Sequence, residues 1–186
     1  MAIAPRTIFT VGHSVHPLEE FLAILQAHGV RAVADVRLIP KSRRHPHFNA
    51  DALAESLPRG GIAYHSFQTL GGRRRPRKDS PNTAWRNESF RGYADYMQTP
   101  AFQQALAQLM ELASSTPTTT MCAEAVPWRC HRSLISDALL VRRWTVLDIL
   151  SASKASPHKM TPFAHVEGLT ITYPPEDPSP SLFPET

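Results

Sequence analysis

Cysteine is scarce in this chain. Of 186 residues, only Cys122 and Cys130 carry a thiol. The N-terminal stretch lacks a long apolar run, so no secretory signal is expected. Two cysteines without such a signal point to a reducing, cytoplasmic setting and not to a disulfide framework. In that setting cysteines are more often buried, catalytic or metal-bound than cross-linked. Long hydrophobic stretches are also missing. The longest are strand-sized, which argues against a membrane-spanning helix, and no membrane partner is expected. There is no Cys-x-x-Cys, no metal-type pairing of histidines and no internal repeat. Zinc would have to use Cys122, Cys130, His131 and His13, a set without the usual ligand spacing. The sequence therefore requires no cofactor and assigns no metal ligand.

What remains suits a globular protein, with 42% hydrophobic residues and enough chain for a substantial core. Apolar periodicity and boundary signals predict strands over 7–11, 31–36, 62–67, 118–122 and 145–150. They predict helices over 17–28, 49–57, 90–97, 100–112 and 132–142. Pro58 to Gly61 is expected to close the second helix. Residues 68–88 read as a long basic loop, and 169–173 as a short late strand. One α/β domain is expected over 1–173, followed by a Pro-rich tail over 174–186 that is extended or disordered.

This alternation predicts a mostly parallel, doubly wound, Rossmann-like sheet with helices on both faces. The polar residues then fall in consistent places. His13, Asp35, Arg37, Gly71, Gly72 and the run from Cys122 to Arg132 all follow the carboxyl ends of predicted strands. In a parallel sheet those ends share one edge, where ligands bind.

Within that edge, Cys122 is the candidate nucleophile, because a helix N-terminus and nearby arginines lower a thiol's pKa. The alternative is a small buried thiol. Cys130, His131 and Arg132 open a predicted helix, a place that favours anions, and Cys130 is also a candidate resolving thiol. Glu124 is a candidate acid or base, or else a salt-bridge partner of Arg37 or Arg132. Asp35 is expected to orient Arg37 or His13, and His13 to be a ligand contact, a base or a helix cap. Arg37, Arg43, Arg73, Arg91 and Arg132 together make a positive cleft suited to phosphate or carboxylate. Tyr93, with Tyr64, Phe90, Tyr96 and Trp128, offers either a stacking surface or core packing.

The formal net charge is +4, and much of the excess is clustered. One group is Lys41, Arg43, Arg44, His45 and His47. The other is Arg73, Arg74, Arg75, Arg77 and Lys78. These clusters are either solvated loops or attractors of phosphate-bearing partners.

Several segments form an ordered set: TVGHS at 10–14, ADVR at 34–37, KSRRHPHFN at 41–49 and LGGRR at 70–74. The set continues with FRGYADYM at 90–97 and MCAEAVPWRCHRSLISDAL at 121–139. It resembles the domain of unknown function 488 family over residues 7–150. The resemblance implies an α/β fold and assigns no catalytic role. The residues themselves point to an enzyme, a hydrolase or transferase, acting on a phosphorylated small molecule or nucleotide. The alternative is a non-catalytic nucleic-acid-binding module that uses the two basic clusters.

Overall fold

Five strands run parallel in this protein: β1 (Thr7–Gly12), β2 (Ala32–Asp35), β3 (Ala63–Ser66), β4 (Thr118–Cys122) and β5 (Thr145–Ser151). The computed structural model describes residues 6–175. A sixth strand, β6 (Lys154–Pro157), lies antiparallel along β5, and the sheet order is β3-β2-β4-β1-β5-β6. The helices are α1 (Leu18–Ala27), α2 (Ala50–Arg59), α3 (Glu88–Tyr96), α4 (Pro100–Ser115) and α5 (Arg132–Leu140). A separate hairpin pairs β7 (His165–Glu167) with β8 (Thr170–Thr172).

Side chains alternate across each strand, so one sheet must be covered twice. Val11, Val33 and Met121 pack with Phe21, Leu25, Leu53 and Leu57 of α1 and α2. Ile8, Ala34 and Val146 face the other way, onto Tyr93, Phe102, Leu106, Leu134 and Leu139 of α3, α4 and α5. β2 and β4 are buried along their whole length, as central parallel strands must be. The expected mostly parallel α/β sheet with helices on both faces is the fold observed. Among the described residues, no helix is long and apolar enough to cross a membrane.

Some boundaries differ from the sequence expectation. Pro58 lies inside the last turn of α2, which runs on to Arg59. A proline there removes only one N–H, a small loss next to the burial of Leu53 and Leu57. β6 was not expected, because its residues are polar or half-exposed and it ends in proline. An edge strand tolerates both. The expected late strand over 169–173 is the shorter β8, paired with the unanticipated β7. The tail beyond Pro175 lies outside the described residues.

The segment after β5 folds back onto α5 through a buried charged cluster. His158 sits between Asp137 of α5 and Asp148 of β5, at 3.1 and 3.2 Å. Asp137 also accepts from the Thr161 N–H at 3.1 Å and the Tyr173 hydroxyl at 2.9 Å. Burial disfavours the charged ring, but the hydrogen bonds and charges of the two aspartates outweigh it and raise His158 to about 9. A raised histidine pKa stabilises the fold fully below its ordinary 6.5 and ceases to do so as pH rises through about 9. Urea denaturation should therefore show stability falling by about 2 kcal/mol between those limits. His158→Gln should flatten that slope, and an unchanged slope would show that the cluster is not the titrating group.

Candidate functional site

β1 and β4 are neighbours, with Gly12 paired to Cys122, yet their connections leave in opposite directions. The chain after β1 crosses through α1 to β2, and the chain after β4 crosses through α5 to β5. This is a topological switch point, and a crevice opens there at the carboxyl edge. A cleft of about 500 Å³ fills it. His13 and Ser14 line it from the loop after β1, and Arg37, Lys41 and His45 from the loop after β2. Gly72 and Arg73 approach from the loop beyond β3, and Cys122, Glu124, Cys130 and His131 from β4 and its loop.

Two glycines allow these loops to close on one another. A Cβ at Gly12 would overlap the carbonyl oxygen of Glu124, so the ends of β1 and the β4 loop touch through bare backbone. A Cβ at Gly72 would stand 2.9 Å from His131 Nδ1. Backbone then crosses directly beneath the imidazole.

Arg132, expected from the sequence among the cleft arginines, does not line the cleft: it is only 1% exposed and lies behind the wall that Cys122, Glu124 and Cys130 form. Its Nη1 donates to Thr10 Oγ1 at 2.7 Å, its Nη2 to the Glu124 carbonyl at 2.7 Å and its Nε to Cys122 Sγ at 3.0 Å. Among the described residues, no carboxylate lies within ion-pair distance of it. A buried guanidinium held only by neutral acceptors is an uncompensated charge, and such a charge strongly favours an anion nearby.

The two thiols are the nearest groups able to supply one. Burial pushes the Cys122 thiol well up, and the neighbouring Cys130 thiol adds to this. The same interaction with Cys122 is the main reason Cys130 falls to about 7. Burial opposes the fall, and the Arg132 charge and N–H groups reinforce it. Cys130 Sγ also accepts the Arg132 backbone N–H at 3.5 Å, at the start of α5, where the helix dipole favours negative charge. The lowered pKa expected for Cys122 therefore belongs to Cys130. Cys122 keeps its proton and stays a thiol.

His131 completes the arrangement. Its Nε2 lies 2.9 Å from the Val36 carbonyl and must carry the proton there. Nδ1 is then left as an acceptor, 3.5 Å from Cys130 Sγ. Burial lowers the His131 pKa, so the neutral ring is the form able to take the thiol's proton.

The opposite wall is a second, already neutralised network. Asp35 accepts from Arg37 Nε at 2.8 Å and Nη2 at 2.6 Å, and from the Tyr64 hydroxyl at 2.8 Å. Arg37 Nη1 donates to His13 Nε2 at 3.2 Å, which leaves His13 Nδ1 to donate to the Ser14 carbonyl at 3.0 Å. His13 stacks on Phe48 with ring centroids 4.1 Å apart. Burial holds its pKa down at about 4, and the Arg37 charge adds to this, so the ring is neutral near pH 7. Asp35 thus holds Arg37 in place, and through it His13.

Other residues stand elsewhere. The Arg91 guanidinium is spent on the Trp85 carbonyl, at 3.2 and 3.0 Å, outside the cleft. Tyr93 is fully buried core, with its hydroxyl on the Leu70 carbonyl at 2.7 Å. It supports the His131 ring from beneath and presents no stacking face to a ligand. Arg43 is exposed and does not line the cleft. Glu124 lines it, but its carboxylate pairs with neither Arg37 nor Arg132. Arg132 takes its backbone carbonyl instead. The 73–78 cluster is divided. Arg74 lies over the Tyr96 ring at 3.8 Å and donates to the Gly71 carbonyl, and Arg77 pairs with Asp79. Arg73 alone of the cluster reaches the cleft. Asp95 pins this loop by accepting from the Arg77 N–H, Ser80 and Asn82.

Among the described residues, no group of three or more His, Cys, Asp or Glu is arranged to hold a metal ion. Both ring nitrogens of His13 and Nε2 of His131 are committed to protein partners. Thr10 carries no site signal as a residue type. The alternation of β1 places it on the α5 face, opposite an arginine that needs an acceptor.

Fold and cleft together define a doubly wound α/β protein with an arginine-supported thiol pair at its switch point. A family model described as Domain of unknown function DUF488 matches residues 17–139, and the chain belongs to that family. No curated protein and no solved structure matches it.

Gly12→Ala should destabilise the protein by on the order of 3 kcal/mol, because the added methyl meets backbone that cannot move alone. Thermal unfolding measures this, and a near-neutral result would mean that the loop relaxes freely. Iodoacetamide alkylation of Cys130 should follow a midpoint near pH 7. In Arg132→Met that midpoint should rise by about one unit or more as the cation is lost. An unmoved midpoint would show that Arg132 does not tune the thiol.

Proposed function

We propose that the cleft binds a phosphate-bearing small molecule and that the protein is an enzyme acting on it, with Cys130 as the attacking group. The observation that supports this most is the Arg132 guanidinium, buried beneath the cleft without a carboxylate. Its field favours an anion above it, and Lys41 and Arg73 on the rim add positive charge against the single carboxylate of Glu124. The volume of about 500 Å³ suits a metabolite or nucleotide. In this reading Arg37, held flat by Asp35, and Arg73 grip the phosphate. His131 Nδ1 takes the Cys130 proton, and the thiolate attacks an electrophilic atom beside the anchored anion. The leaving group recovers the proton from His131.

The competing reading is a nucleic-acid-binding module. Internal use of Arg74 and Arg77 breaks the 73–78 stripe that such a module would need, so the small-molecule reading is preferred. Calorimetric titration with inorganic phosphate and a nucleoside monophosphate separates the two. Binding should weaken about tenfold, or about 1.4 kcal/mol, in Arg73→Ala. Its salt dependence should be shallow, matching one or two charges. No phosphate binding, together with steeply salt-dependent polynucleotide binding, would reverse the preference.

A further inference from the structure

Anion binding and attack by one thiol leave Cys122 without a chemical task. Yet Cys122 is placed with some care. The chain turns back through a short 3-10 segment, Pro127–Arg129, so that two cysteines eight positions apart meet at the cleft. Each thiol shifts the other's pKa, Cys122 up and Cys130 down. Arg132 contacts both sulfurs, Cys122 through Nε at 3.0 Å and Cys130 through its backbone N–H at 3.5 Å. Both cysteines are free, and both line a cleft open to small solutes.

We propose that Cys122 and Cys130 form a reversible dithiol–disulfide couple, in which a hydroperoxide attacks at Cys130 and Cys122 resolves the product. This rests on the reactive-thiol part of the reading above and does not depend on anion binding.

In the first step the Cys130 thiolate attacks one peroxide oxygen. An S–O bond forms, the O–O bond breaks, and the departing hydroxide leaves as water with the proton that Cys130 released. Cys130 is now a sulfenic acid. In the second step the Cys122 sulfur attacks the Cys130 sulfur. The S–S bond forms, the S–O bond breaks, and hydroxide takes the Cys122 proton as water. For hydrogen peroxide the sum is two thiols plus peroxide giving one disulfide and two waters. Two electrons pass from sulfur to oxygen, and a small-molecule thiol reductant reverses the change.

The surroundings assign the order. Cys130 sits at the α5 N-terminus with His131 Nδ1 beside it to take a proton. Cys122 is held by the Arg132 guanidinium, which stabilises the thiolate as it forms on that sulfur during resolution. Bond formation brings the two sulfurs to about 2 Å.

The test uses the full chain, reduced, desalted and treated with a small molar excess of hydrogen peroxide. Trypsin cuts after Arg129, so the two cysteines leave on different peptides unless they are joined. The expected result is a cross-linked Cys122–Cys130 pair that dithiothreitol releases. In Cys122→Ser, dimedone should trap a sulfenic acid at Cys130. In Cys130→Ser, Cys122 should react at least about tenfold more slowly.

Unlinked thiols in the wild type after peroxide would overturn the proposal, as would equal sulfenate formation on Cys122 in Cys130→Ser. Should either variant fail to fold, the wild-type peptide map still decides. A protein that binds phosphate but forms no cross-link sinks only this proposal. One that cross-links but binds no phosphate sinks only anion binding.

Discussion

A single buried guanidinium sets the terms for the carboxyl edge of this protein. Arg132 ties the first turn of α5 to β1 through Thr10, to the β4 loop through the Glu124 carbonyl and to the end of β4 through Cys122. Three elements that meet at the switch point are thereby fixed by one side chain. Arginine suits this task because its planar fork reaches several acceptors at once and cannot shed its charge. A lysine would make a point contact and neutralise on burial.

The consequence is an unpaired positive charge inside the fold, which protein interiors tolerate poorly. The surrounding sulfurs lessen that cost. With Arg132 beside both sulfurs, burial and the neighbouring thiol push Cys122 up while Cys130 is lowered, so Cys130 is the sulfur that more readily carries negative charge. Structural packing and thiol activation are therefore the same interaction seen from two sides. Removing the arginine to relieve its burial would also remove part of the thiol's acidity.

Much of this was legible in the sequence, and the exceptions share a cause. β4 matches its expected span of 118–122, because a β-branched run between a helix end and a polar loop admits little else. Convergence on one edge followed from strand–helix alternation alone. β6 and β7 were illegible because edge and hairpin strands are stabilised by pairing and not by an apolar pattern. The inward turn of Arg132 was hidden for a different reason. Arginine at a helix start reads as an anion-binding cleft residue until the Thr10 side of β1 and the Cys122 thiol supply acceptors from distant parts of the chain. The choice between the two cysteines was equally closed to inspection. It depends on which groups reach each sulfur, the Arg132 guanidinium at Cys122 and the Arg132 N–H and His131 at Cys130, and that exists only in three dimensions.

The two arginine networks of the cleft divide the work by their state of charge. Arg37 is closed off by the Asp35 carboxylate and a neutral His13, so the net field of that wall is small and its geometry rigid. It can offer directed N–H groups without strongly attracting an anion. Arg132 is the reverse, a strong field with its donors already committed. An anionic ligand of the kind proposed above would compete with the Cys130 thiolate for the same buried charge. A protonated Cys130 would leave the field of Arg132 to the ligand, and an ionised one would satisfy it from within. The electrostatics of the cleft are thus governed less by the count of arginines around it than by the charge carried on a single sulfur atom.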